Sequence, residues 1–93
     1  MLSNKANLFI KVIDALEYGT SEDKITTSSI VYAISALLLT NKPINIKEIT
    51  MFTKICPYVV QSILGEFEKI GIIAINNGNI KIKWRKVYEI SNE

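Results

Sequence analysis

Histidine is absent from this chain, and cysteine occurs once, at Cys56. These two scarcities exclude an internal disulfide and leave a zinc site without the several ligands it needs. Acid–base catalysis would have to rest on scattered carboxylates, lysines and tyrosines that form no constellation, so no enzyme, metal or cofactor is expected. Proline is nearly as scarce, at Pro43 and Pro57 only, and each marks a break. A long apolar run is missing too. The longest uncharged stretch, Ile25 to Asn41, is broken by Thr26, Thr27, Ser28, Ser29, Ser35 and Thr40, and is short for a membrane span. No cationic start leads into an apolar run and a small-residue cleavage site, so secretion is not expected. Cytoplasmic residence, nucleoid-associated or in a host cytoplasm, fits these absences.

What is present is apolar surface. The 93 residues are 48% hydrophobic with a mean hydropathy of +0.22, high for so short a chain, and isoleucine dominates. One small domain, residues 1–93, near the lower limit for a single core, is implied, and the surplus suggests burial between subunits. The net charge is +2, unevenly spread. Residues 1–43 cancel, with Lys5, Lys11, Lys24 and Lys42 against Asp14, Glu17, Glu22 and Asp23. The surplus lies later, concentrated at Lys81, Lys83, Arg85 and Lys86. A basic segment on a nearly neutral domain is the footprint of a modest nucleic-acid surface.

Periodicity divides the chain. Residues 4–18 predict a helix capped by Ser3 or Asn4 and closed by Gly19, with Leu8, Phe9, Val12, Ile13 and Leu16 on one face. That stripe either covers the core or pairs with its copy in a homodimer. Thr20 to Lys24 reads as a polar break. A second helix, begun by Thr27, Ser28 or Ser29 and running over about Ser29 to Thr40, faces Ile30, Ala33, Ile34, Leu37 and Leu38 inward, with Tyr32 and Ser35 off the stripe. Apolar residues on more than one side make it the central core element. Asn41-Lys42-Pro43 stops it, and Ile44 is expected to supply one short strand.

The stretch from Asn45 to Ile73 is the most informative. Asn45 followed by Glu48 reads as a capping box, and Ile46, Ile49 and Phe52 give a short helix an apolar face. Pro57 forces that helix to end near Lys54 and suits the first turn of the next. Val60, Ile63, Leu64, Phe67 and Ile70 then form a buried stripe, and Gly71 ends the helix as a residue tolerant of left-handed geometry. Ile72, Ile73 and Ile75 continue as a strand, and Asn77-Gly78 predicts a type I′ hairpin turn. On the returning strand Ile80, Ile82 and Trp84 alternate with Lys81, Lys83 and Arg85, one set inward and one in water. Val87 to Ile90 adds a last turn or strand, and Ser91 to Glu93 fray.

Short helix, turn, second helix with Val60, Leu64, Phe67, Gly71, Ile72 and Ile73 in sequence, then a hairpin: the pattern resembles the winged helix-turn-helix domains of transcription regulators. It spans roughly residues 29–87, most of the chain. The resemblance implies an α+β, mainly α fold: a core over residues 26–90, an additional N-terminal helix within 1–19, and a hairpin wing. It implies double-stranded DNA as partner, with helix 57–70 in the major groove, the basic wing 76–86 on the backbone, and two-fold dimers on half-sites about 34 Å apart. The composition is compatible with an AT-rich genome, such as that of an archaeon or its virus.

Candidate DNA contacts follow. Gln61 can read adenine, Ser62 can bond a base or phosphate, and Tyr58 and Val59 lie near the helix start. Lys81 and Lys83, then Arg85, Lys86 and Lys54, are candidates for phosphates. The same lysines also discourage edge pairing of a strand. The helix has no arginine and carries Glu66, so the alternative is a winged-helix protein-interaction module of a transcription or replication assembly. Trp84 is read as a core anchor and Cys56 as a plain capping position.

Overall fold

The structure, a computed structural model, describes residues 4–16 and 21–92, with side chains described for residues 5–14 and 24–92. Its elements in order are α1 (Asn4–Leu16), α2 (Ser21–Leu39), α3 (Ile46–Thr53), α4 (Pro57–Lys69), β1 (Ile73–Asn76), β2 (Asn79–Ile82) and α5 (Trp84–Ser91). Helices dominate, with one antiparallel hairpin near the C-terminal end, so the class is α+β, mainly α.

The core forms where the apolar stripes meet. α1 packs on α2 and α5, α2 on α3, α3 on α4, and α4 on β1. Phe9, Ile30, Ile34, Ile49, Val60, Leu64, Phe67, Ile72 and Val87 are fully buried. Burying one such side chain contributes roughly 1.5–3 kcal/mol. Phe9 meets Phe67 edge to face, ring centroids 6.4 Å apart and planes at 82°, a favoured arrangement of their quadrupoles.

Helix ends follow local chemistry. Asn45 Oδ1 accepts the Glu48 N–H at 2.8 Å and so satisfies one orphan donor of α3. α4 ends at Ile70 with Gly71 at φ 86°. The Ile72 N–H donates to the Phe67 carbonyl at 3.2 Å and the Gly71 N–H to that of Glu68 at 3.0 Å, a complete Schellman pair. α2 ends the same way: Asn41, at φ 56°, lets the Lys42 N–H reach the Leu37 carbonyl at 3.0 Å. The hairpin pairs Ile73 with Ile82 and Asn76 with Asn79, around Asn77 and Gly78 at φ 52° and 80°. Those signs give the type I′ turn that matches the strands' twist. Ile44 contributes one carbonyl, accepting the Ile80 N–H at 2.9 Å, and Asn45 makes a single bridge to Asn79.

Several expectations are corrected. The segment from Ser21 to Lys24 is helix, not a break, and α2 starts eight residues before Ser29; Glu22 and Asp23 suit the positive end of a helix dipole. Ser35 is buried, its hydroxyl donating to the Val31 carbonyl at 2.9 Å, whereas Phe52 is 60% exposed. Trp84, Arg85 and Lys86 lie in α5, not on the returning strand, and Ser91 is helical as well. Two periods compete there, and the spacing of Trp84, Val87 and Ile90 wins because a helix buries Val87 against the core. Of the two uses offered for the α1 stripe, the described part serves the first: Phe9, Val12 and Ile13 are buried within this one chain and Leu8 is half-buried. Ser3 and Gly19, and the side chain of Leu16, lie outside the described residues.

Candidate nucleic-acid interface

The turn between α3 and α4 is built from short-range bonds. Thr53 Oγ1 donates to the Ile49 carbonyl at 2.8 Å and accepts the Ile55 N–H at 3.2 Å. Lys54 stands between at φ 61° and ψ 20°, its N–H on the Thr50 carbonyl at 2.8 Å, with its side chain in solvent. Cys56 is exposed at the N-cap with extended geometry and no side-chain cap bond; its carbonyl accepts the N–H groups of Val59 and Val60. Pro57 fills the first turn, where its missing donor costs nothing.

From there α4 divides cleanly. Val60, Leu64 and Phe67 face the core. Tyr58 is 82% exposed and Val59 41%, and Gln61 and Ser62 are exposed beside them. Gly65 follows on this outer side, with no heavy atom within 4 Å of where a Cβ would stand. Further on, Lys69 Nζ reaches Glu66 Oε1 at 3.4 Å, an exposed pair of small energetic weight. Glu68 turns instead to the hairpin, where Oε2 accepts the Ile75 N–H at 2.9 Å. That bond covers a donor on the outer edge of β1. Spacing along the chain gave no sign of it, because it depends on how α4 lies beside the sheet.

The basic residues form a second group. Lys81 sits on the solvent face of β2, paired with Ala74. Lys83 is exposed at the N-cap of α5, its N–H on the Ile72 carbonyl at 2.8 Å. Arg85 and Lys86 are exposed in the first turn of α5. The Lys86 Cγ lies 3.9 Å from where a Cβ on Gly71 would stand, so its stem runs over the end of α4. At 1.5 Å rise per residue, that point is about 15 Å along the axis from Gln61. Trp84 is half-buried against the core, with the Lys5 ammonium 5.4 Å from its ring centroid.

The hairpin turn itself is not basic and does not stand free. Asn76, Asn77 and Asn79 surround Gly78, whose carbonyl accepts the Ile46 N–H at 3.0 Å. The turn is thereby tied to the first residue of α3. Lys54, Tyr58, Val59, Gln61 and Ser62 thus gather around the start of α4, while Lys81, Lys83, Arg85 and Lys86 gather around the hairpin base.

Among the described residues there is no cluster of three or more His, Cys, Asp or Glu able to hold a metal ion, and no helix long and apolar enough to cross a membrane. Comparison of the chain with protein-family models, with curated proteins and with solved structures finds no match.

Proposed function

We propose that this chain is a winged helix-turn-helix domain that binds double-stranded DNA as a small transcription regulator, with α4 as the recognition helix. The observation that carries the reading is the division of α4. Val60, Leu64 and Phe67 are in the core and Ile63 is half-buried against it, while Tyr58, Gln61 and Ser62 lie open beside the helix start. Gln61 offers the paired donor and acceptor that adenine takes in the major groove, and Ser62 and Tyr58 are hydroxyls for phosphate or base. The order helix, single bridge, helix, helix, hairpin supports the winged reading, as does the stitch from Ile44 and Asn45 to β2.

Phosphate attraction falls to Lys54 at the turn and to Lys81, Lys83, Arg85 and Lys86 at the hairpin base. The cations at Lys83, Arg85 and Lys86 oppose the dipole of α5, whose first turn holds no acidic residue. They are therefore not there to stabilise that helix.

A salt series on duplex DNA tests this. Binding should weaken steeply with salt, with a slope of about −0.9 per phosphate neutralised. The Lys81→Ala, Lys83→Ala double variant should flatten it by about 1.8, and Gln61→Ala should weaken binding to the preferred sequence at unchanged slope. No duplex binding at low salt beyond that of a mildly basic control would reject the reading.

One observation favours a second reading, a protein-interaction module: α4 itself holds no cation before Lys69 and shows Tyr58 and Val59 at its start. Aromatic, charge-poor surface is typical of the centre of a protein interface. The same salt series separates the two.

A further inference from the structure

We propose that two copies of this chain pair through the outer face of α2, antiparallel, and that this pairing does not depend on DNA. α2 buries Ile30, Ala33, Ile34 and Leu37 on one side. Its other side presents Ile25 at 72% exposure, Tyr32 at 61% and Leu39 at 38%. Each of these stands seven residues from the next, and Ser29 and Ala36, also seven apart, fall four residues after Ile25 and Tyr32. Alternate steps of four and three are the spacing of a helix–helix seam. Two hydroxyls along it are already satisfied, those of Ser29 and Thr40. Ser29 Oγ donates to the Ile25 carbonyl at 3.1 Å, and Thr40 Oγ1 to that of Ala36 at 2.9 Å, so covering them strands no donor.

The pattern names its own occupant. Large residues recur every seven and small ones every seven, offset by four. In an antiparallel pair Ile25 then faces the partner's Ala36, and Tyr32 faces the partner's Ser29. The reverse contacts follow by the two-fold axis, as an isologous interface requires. Each of these four layers matches one large side chain with one small one, and the small ones let the backbones approach; Leu39 lies beyond them, level with the partner's Glu22 in this register. Charge agrees. Glu22 and Asp23 outweigh Lys24 in the first turn of α2, and Lys42 stands just past its end. Antiparallel packing brings opposite signs to each end, whereas parallel packing would stack like on like.

The flank of the seam is shaped to match. A groove of about 260 Å³ runs beside it, with Ala36, Thr40, Met51 and Phe52 in its walls. The partner's Ile25, opposite Ala36, enters this groove. Five of the eight exposed large hydrophobic side chains among the described residues (Ile25, Tyr32, Leu39, Met51 and Phe52) lie on α2 and α3. That concentration is more than scattered surface apolarity explains.

The test needs no DNA. Sedimentation of the full chain, from about 1 to on the order of 100 µM, should show a monomer–dimer equilibrium. Tyr32→Glu and Ala36→Glu should each weaken it at least tenfold while the far-ultraviolet circular dichroism of the helices is retained. In a Cys56→Ser background, Ile25→Cys chains mixed with Ala36→Cys chains should cross-link to one another faster than either does to itself. A monomer at every concentration, a dimer indifferent to both glutamates, or Ile25→Cys self-cross-linking as fast as the mixed pair would each overturn the proposal. Failure here leaves the salt dependence of duplex binding untouched, so the two readings fall separately.

Discussion

Helices α2 and α4 each bury an apolar stripe, yet what they turn outward differs in kind. α4 shows Tyr58, Val59, Gln61, Ser62, Glu66 and Lys69; α2, besides Lys24 and Ser28, shows Ile25, Ser29, Tyr32, Ala36 and Leu39. A mostly polar outer face is content in water and can exchange water for a polyanion. An apolar outer face gains only by being covered. The two helices therefore divide the labour of a small domain: one side is open to a charged partner and the other is complementary to itself. Helix propensity makes no such distinction, since both segments carry β-branched residues and owe their helices to packing. The distinction lies in the second face of each.

The comparison breaks most visibly at a buried position. Phe67→Ala removes a fully buried ring from α4 and the edge-to-face contact with Phe9, and should lower unfolding free energy by about 3–5 kcal/mol. Tyr32→Ala, on the outer face of α2, should change it by less than about 0.5 kcal/mol when measured dilute enough to be monomeric. Denaturant melts of the two variants against the parent provide the check. Equal losses would mean that the outer face of α2 is part of the monomer's core.

A smaller effect tests the outer face of α4 through its glycines. Gly71, at φ 86°, ends the helix in left-handed geometry. Gly71→Ala should cost about 1–2 kcal/mol although the nearest atom to the new Cβ is 3.9 Å away. Gly65 is in mid-helix with nothing within 4 Å of a new Cβ, so Gly65→Ala should stabilise by about 1 kcal/mol. Opposite signs from one substitution in one helix are hard to obtain by accident. If Gly65→Ala also weakens duplex binding, close approach of the DNA backbone explains the glycine.

These contrasts mark what the sequence made legible. α3 and α4 were readable to within a residue or two, because Asn45 acts through its own side-chain oxygen and Pro57 and Gly71 through their own backbones, which leaves little to tertiary context. The type I′ turn at Asn77-Gly78 was readable for the same reason. α5 was not, since Ile80 to Arg85 satisfies a period of two and only the burial of Val87 decides for a helix. That decision relocated Arg85 and Lys86 from the hairpin to a helix N-terminus. The stripe on α1 was visible, but whether it met its own chain or a second one depends on where α2 and α5 lie. Likewise the outer face of α2 was hidden behind the general apolarity of that helix. An excess of apolar residues announces that something must be covered, and only the fold says which side remains.

The smallest expected effect concerns the turn that orients α4. Lys54 occupies left-handed backbone, φ 61° and ψ 20°, which costs a non-glycine residue on the order of 1 kcal/mol. Lys54→Gly removes that strain but adds chain entropy to the unfolded state, so the net gain should be about a few tenths of a kcal/mol. A stability gain alone would say that the lysine is tolerated there, not why it is there. The salt series supplies the second reading. If Lys54 meets a phosphate beside the start of α4, the variant should be more stable and yet bind duplex with a slope flatter by about 0.9. A more stable variant with an unchanged slope would remove Lys54 from the interface. The phosphate contacts would then lie wholly at the hairpin base, about 15 Å along α4 from Gln61, which would favour a protein partner for the start of that helix.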